Sequence, residues 1–242
     1  MVISVVVPVL NEEDNIASLL QDIEQASKTT PISEIIYVDD GSTDKTYSIL
    51  RSLRAAYPAL RVIRHDCRCG QSASLWTGIK AASNELVVTL DGDGQNDPAD
   101  IKLLYNKYRE NEHITPRLMI SGERKKRNDS LMRRIASRSA NRIRSALLKD
   151  MTKDTGCSLK LFQRKDYINL PYFDHMHRFL PALMLRDRVQ LIHVPVSHRA
   201  RQHGVSKYNN FGRALVGVSD LLGVWWLQSR PNAHPVIAEE IE

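Results

Sequence analysis

An α/β fold built on a mainly parallel, doubly wound sheet is predicted by two features of the chain. Continuous apolar runs alternate with segments of helical periodicity, and three of those runs end in acidic, turn-forming segments. Runs without polar alternation read as strands buried on both faces, and strand-helix alternation favours parallel pairing through crossover helices. Ligands in such sheets sit beyond the carboxyl ends of the strands, near the topological switch point. Three acidic turns that all follow their strands are therefore placed to converge on one cleft.

The run Val5-Val6-Val7-Pro8-Val9-Leu10 comes first and passes into Asn11-Glu12-Glu13. Ile16, Leu19, Leu20 and Ile23 then recur at helical spacing. Ile35-Ile36-Tyr37-Val38 is the next strand and leads into Asp39-Asp40-Gly41-Ser42-Thr43-Asp44, followed by Tyr47, Ile49, Leu50 and Leu53 on a second helix. Leu86-Val87-Val88-Thr89-Leu90 ends in Asp91-Gly92-Asp93-Gly94-Gln95-Asn96-Asp97-Pro98. Hard divalent cations prefer oxygen ligands and commonly take one or two carboxylates plus substrate phosphate oxygens, a requirement that Asp91 and Asp93 meet. The same residue types also suit a solvated turn.

The order and spacing of Pro8-x-x-Asn11-Glu12, Val38-Asp39-Asp40-Gly41-Ser42-Thr43-Asp44 and Asp91-Gly92-Asp93-Gly94-Gln95-x-x-Pro98 resemble inverting family 2 glycosyltransferases of the GT-A fold. Within that family the likeness is to polyprenyl-phosphate glycosyltransferases, including dolichol-phosphate mannose synthases, and it runs from about Val2 to about Trp226. The resemblance implies a nucleoside bound by Pro8, Asn11, Glu12, Asp39 and Asp40. It implies a donor diphosphate met by Asp91, Gly92, Asp93, Arg201 and Lys207, and Mg²⁺ or Mn²⁺ on Asp91 and Asp93 with Gln95 supporting. Gly122-Glu123-Arg124 matches the family's Gly-x-Arg element, which places Arg124 at the acceptor phosphate and, by weaker transfer, Arg127, Arg133 and Ser137. Asp154-Thr155-Gly156 resembles the acidic element beside the reacting sugar, where Asp154 orients a hydroxyl or handles a proton; without the family it reads as a cap or turn residue. Arg201, Gly204, Ser206, Lys207 and Tyr208 fit the lipid-phosphate signature, in which Lys207 acts at the leaving group. His177, in a less informative segment, reads as structural.

At 242 residues the chain suits one enzyme domain. The expected organisation is a catalytic domain over 1–209 that includes a basic amphipathic acceptor-side segment at 123–149, an interfacial helix at 210–228 and a polar tail at 229–242. Cys67, Cys69 and Cys157 form an odd set without Cys-x-x-Cys pairs, which supports neither a disulfide scaffold nor a zinc ribbon. A reducing, cytosolic setting is expected, with no basic-then-apolar leader before the first strand.

Net charge is +6, concentrated where Arg117, Arg124, Lys125, Lys126, Arg127, Arg133, Arg134, Arg138, Arg142 and Arg144 crowd together. Such a block favours polyanions or forms a solvated helix face. Without interleaved aromatics or a recognition motif, nucleic acid is a poor partner and an anionic membrane surface a better one. Residues 129–147 read as an amphipathic helix. Residues 211–227 are apolar but interrupted by Arg213 and Asp220, too broken for a span of about 20 residues. An interfacial helix with Trp225 and Trp226 at headgroup level, peripheral on the cytoplasmic face, is expected instead. Homo-oligomerisation and an integral membrane partner are left open.

The resulting expectation is transfer of one sugar from a UDP- or GDP-linked donor to a polyprenyl phosphate, with inversion. Two alternatives stand beside it: a saccharide or other non-lipid acceptor on the same fold, and a non-enzymatic basic module binding nucleic acid.

Overall fold

The computed structural model describes residues 1–124, 144–150, 152, 154–200 and 210–230, with side chains from 217 onward in the last stretch. In chain order the first half runs β1 (Ile3–Val9), α1 (Ile16–Ser27), β2 (Ile32–Asp39), α2 (Thr46–Leu53), β3 (Leu60–Arg64), α3 (Gln71–Ala81), β4 (Leu86–Thr89) and α4 (Ile101–Asn111). The second half contributes β5 (Leu118–Arg124), β6 (Lys160–Gln163), α5 (Arg164–Ile168), α6 (Leu180–Arg186), β7 (Gln190–Val196) and α7 (Asn210–Gln228). Seven strands form one sheet in the order β3-β2-β1-β4-β6-β5-β7. Pairing is parallel throughout except for β6, which runs against both β4 and β5.

The apolar runs become the sheet's central strands for the reason their composition gives: both faces are covered. Val5 and Val7 pack into the core on one side with Ile16, Leu20 and Ile23 of α1, while Val6 meets Leu75 and Ile79 of α3 on the other. Each such side chain taken out of water contributes roughly 1.5–3 kcal/mol. The chain runs outward from β1 through β2 to β3 and then crosses back to β4 on β1's other side, so the switch point lies between β1 and β4. Pairing of β1 with β4 stops at Val6↔Thr89, whereas pairing with β2 continues to Val9↔Asp39. Pro8, which has no ladder donor, lies where β4 has already parted from β1.

In the second half, α7 packs on α6 through buried Val224, and Gln228 Nε2 donates to the carbonyls of Leu148 and Ala182. No helix among the described residues is long and apolar enough to cross a membrane. Of the segment 129–147, residues up to 143 lie outside the described residues; 144–148 are helical.

Candidate active site

The turn after β1 is stitched to the turn after β2 by reciprocal hydrogen bonds. Asn11 adopts a positive φ of 52°, a region Asn tolerates better than most side chains. Its N–H donates to Ser42 Oγ at 2.8 Å, and its Oδ1 accepts the Thr43 N–H at 2.8 Å. The Glu12 N–H donates to Thr46 Oγ1 at 2.8 Å. Asp39 is fully buried, and its Oδ1 accepts the Ser42 N–H at 3.1 Å. Its Oδ2 lies 3.3 Å from Arg64 Nε without an aligned hydrogen bond.

Asp40 anchors the loop after β3. Its Oδ1 accepts the Cys69 N–H at 2.9 Å and sits 2.9 Å from His65 Nδ1, while its Oδ2 accepts the Gly70 N–H at 2.8 Å. Burial alone would raise its carboxyl, but these bonds from His65, Cys69 and Gly70 hold it below the usual range. The loop lies so close that a Cβ on Gly41 (φ +71°) would approach the Cys67 carbonyl carbon to 2.7 Å. Asp40, His65 and Cys69 bring potential ligand atoms within 4.8 Å of one another, yet each His65 nitrogen already has a partner, Nε2 meeting Thr77 Oγ1 at 3.0 Å. The cluster is a hydrogen-bonded anchor.

The turn after β4 faces these two. Gly92 is required there, since a Cβ would fall 2.5 Å from Val9 Cγ1. Asp91 Oδ1 accepts from Gln71 Nε2, at the start of α3, at 2.8 Å. Burial and then the charge of Asp93 push the Asp91 carboxyl up to about 6 against the opposing influence of Ser158, Lys160 and Arg124. Asp93 Oδ1 accepts the Gln95 N–H at 3.1 Å, and the Gln95 carbonyl accepts the Arg199 N–H at 2.9 Å. Asn96 ties the turn to the segment before β6, accepting from Ser158 Oγ at 2.6 Å. Arg199 also pairs with Asp97 at 2.8 Å, and with Asp22, so the chain after β7 is rooted on this turn. Arg201, Gly204, Ser206, Lys207 and Tyr208, the signature that follows, lie outside the described residues.

Two cavities meet at Asp91. One, of about 400 Å³, is lined by Pro8, Asn11, Glu12, Asp40, Gly92 and Asp93. The other, of about 680 Å³, is walled by Leu75, Tyr167, Phe179, Leu180, Val218 and Leu221. Asp91 and Gln71 line both.

On the wider side, Arg124 and Asp154 meet in a two-pronged ion pair, with Nε and Nη2 each 2.6 Å from a carboxylate oxygen. Arg127, Arg133 and Ser137, expected beside Arg124, lie outside the described residues. Three arginines of the basic block are committed to internal carboxylates: Arg117 to Asp166 and Asp187, Arg124 to Asp154, and buried Arg144 to Asp150. The described part of that block is therefore not a free polyanion surface, because non-local carboxylates neutralise it. His177 Nδ1 bonds Ser72 Oγ at 2.7 Å, and the residue lines the wider cavity.

Gln71, Asn96, Ser158 and Lys160 were not singled out in the sequence. Only Lys160 left a signal, as a lone charge in the apolar stretch Leu159-Lys160-Leu161-Phe162. Its side chain is buried with Nζ on the Cys157 carbonyl, and burial lowers its ammonium while Cys157, Asp91 and Asp154 oppose that shift.

A switch-point cleft lined by three anchored acidic turns places the molecule among doubly wound α/β proteins that take ligands beyond the carboxyl ends of their strands. The sequence carries the identification further, since residues 4–170 match the model of glycosyl transferase family 2, and the chain belongs to that family and is a glycosyltransferase. Among its relatives, the dodecaprenyl-phosphate galacturonate synthase of Rhizobium johnstonii is 35% identical over 96% of this chain and 69% of its own length. The undecaprenyl-phosphate 4-deoxy-4-formamido-L-arabinose transferase of Edwardsiella ictaluri is 32% identical over 85% of this chain, which spans only 62% of that protein. The fold is shared with glucosyl-3-phosphoglycerate synthase of Mycobacterium tuberculosis, crystallised with Mn²⁺, UDP and glucosyl-3-phosphoglycerate (TM-score 0.68, 22% identity, 94% of this chain and 79% of that one). The predicted GT-A architecture stands, with a mostly parallel sheet and flanking helices.

Proposed function

We propose that this protein transfers one sugar from a nucleotide diphosphate sugar to a polyprenyl phosphate at a membrane surface, with inversion at the anomeric carbon. The observation that carries the reading is the meeting at Asp91 of a cavity of mixed polar and apolar wall with a mainly apolar one. A nucleotide suits the first, a prenyl chain the second, and the reaction belongs at the junction. The relatives named for polyprenyl-phosphate products support the same acceptor class.

On the donor side, buried Asp39 is assigned to the base and Asn11 and Glu12 to the cleft wall. Asp40 contributes mainly by fixing the loop that completes the pocket. Asp91 and Asp93 fit a hard divalent cation, because the two carboxylates sit one residue apart at the end of β4 and line the same cavity, with Asp91 raised by burial and then by the charge of Asp93. Bound Mg²⁺ or Mn²⁺ would offset the charge that gathers on the departing diphosphate. We assign Gln95 to support of that turn and Arg201 and Lys207 to the same diphosphate.

On the acceptor side, a phosphate oxygen is already anionic and needs no strong base. It forms a bond to the anomeric carbon as the bond to the donor's β-phosphate oxygen breaks, and the electron pair leaves with the nucleoside diphosphate. Asp154, with both oxygens engaged by Arg124, fits orientation of a sugar hydroxyl better than removal of a proton. Arg124, with Arg127, Arg133 and Ser137, is assigned to the acceptor phosphate.

The prenyl chain has a route to the bilayer along α7. Val218 and Leu221 wall the cavity, while Leu222, Trp225 and Trp226 on the same helix are about half exposed. Spacing of four and then three and four residues gathers Val218, Leu222, Trp225 and Trp226 into one stripe. We take 1–209 as the catalytic unit and 210–228 as its interfacial helix, peripheral on the cytoplasmic face.

Labelled UDP- and GDP-sugars, offered with Mn²⁺ and polyprenyl phosphate in anionic vesicles, test the reading. Label should pass into organic solvent, and Trp225→Ala/Trp226→Ala should cut vesicle binding by about 10-fold without unfolding the protein. Label that stays in the aqueous phase on a saccharide or small phosphate would reject the lipid acceptor.

A further inference from the structure

Lys160 lies on β6, the one strand that opposes its neighbours, with fully buried Leu159 and Leu161 on either side. Its own exposure is 3%. An ammonium carries three donors. One goes to the Cys157 carbonyl, and among the described residues Nζ has no ion-pair partner. A buried charge without a directly paired carboxylate costs several kcal/mol, and an apolar side chain of similar size is commonly the more stable choice. Stability therefore does not account for a lysine here.

Its position does. Lys160 pairs in register with Thr89, two residues before Asp91. It lines the wider cavity beside Asp91, Gly156 and Ser158, and is absent from the wall of the smaller one. The remaining donors of the ammonium are thus set at the junction, on the side walled by Leu75, Phe179 and Leu180. A single flexible point charge suits a monophosphate, whose oxygens can be met from any direction.

We infer that Lys160 is an acceptor-binding residue, whose ammonium receives the phosphate of the lipid acceptor and holds its attacking oxygen at the junction of the two cavities. This rests on the polyprenyl-phosphate reading, and it adds a cation from the floor of the cleft that the Gly-x-Arg element does not supply. Arg124 gives Nε and one Nη2 donor to Asp154, and Lys160 adds a second cation on this wall, with one donor on the Cys157 carbonyl and no ion-pair partner among the described residues.

The test is titration calorimetry on the full chain with UDP and Mn²⁺ present, using farnesyl phosphate and farnesol as probes. Lys160→Met should weaken farnesyl phosphate by about 10- to 100-fold, the size of a lost hydrogen bond to a charged group. Farnesol and UDP with Mn²⁺ should bind as before, and the melting temperature should hold or rise. Lys160→Arg should recover most of the affinity for farnesyl phosphate. If Lys160→Met does not fold, Lys160→Gln, which keeps a donor for the Cys157 carbonyl, carries the same comparison. Equal binding of farnesyl phosphate by wild type and variant would overturn the inference while leaving the acceptor reading intact. Parallel loss of farnesol, or loss of UDP with farnesyl phosphate unchanged, would overturn it too, as a packing or a donor-side effect. Failure of the wild type to bind farnesyl phosphate would remove the acceptor reading itself and this inference with it.

Discussion

The two sides of the cleft are built on different physical terms. On the donor side, carboxylates at strand ends are held by backbone N–H groups from the next turn: Asp39 by Ser42, Asp40 by Cys69 and Gly70, Asp93 by Gln95. On the acceptor side, charge meets charge, as in Arg124 with Asp154 across 30 residues and buried Arg144, which lines the wider cavity, with Asp150. Backbone donors leave a carboxylate its negative charge and part of its hydrogen-bonding capacity, so the first side can still recruit a cation. Ion pairs neutralise both partners, so on the second side buried Lys160, with no ion-pair partner among the described residues, is the contrast.

The largest effect should come from breaking the donor side. Asp93→Ala removes a partly exposed proposed metal ligand, so transfer should fall by about 10³-fold while the melting curve barely moves. Wild-type transfer by a folded Asp93→Ala protein would exclude the metal assignment, and activity with thermal melts on one preparation decides it.

The acceptor side should respond in the opposite sense. Arg124→Ala strands a buried carboxylate, so it should cost about 3 kcal/mol of stability as well as acceptor use, and Arg124→Ala/Asp154→Ala should recover much of that stability. Chemical denaturation of the two single variants and the double variant gives the coupling; additive losses would mean that the pair does not act as a unit.

Asp91 offers the smallest and sharpest contrast. Its carboxyl is raised to about 6 from 3.8, so the native state holds the proton more tightly than the unfolded chain does. Stability without a divalent cation should therefore fall as pH rises between those two values, and Asp91→Asn should abolish that fall. Melting curves in EDTA at pH 4 to 7 measure the difference, and Mn²⁺ should stabilise the wild type increasingly above pH 6. A wild type and Asp91→Asn with parallel pH profiles would show that the carboxyl is not raised.

Which of these features could be read without coordinates follows the same division. The turns at Asn11, Asp39–Asp44 and Asp91–Asp97 announce themselves locally, since each follows an apolar run and combines acidic side chains with turn-forming residues. The helices were equally legible, with Ile16, Leu19, Leu20 and Ile23 all buried on α1. The arginine block misled in part, because composition counts charges and cannot see that Arg117, Arg124 and Arg144 each find a carboxylate. Arg124 and Asp154 are 30 residues apart, and Gln71 and Asp91 are 20 apart. No local pattern encodes such pairs.

The doubly wound sheet, the end of it to which the acidic turns belong and the family they mark are all written in local pattern, because strand burial, helix periodicity and turn chemistry act over a few neighbouring residues. Long-range packing sets the rest: two cavities join at Asp91, Arg124 pairs with Asp154, and Lys160 is buried on the wall of the wider cavity. Those outcomes depend on which distant side chains the crossover connections and the reversed strand β6 bring together.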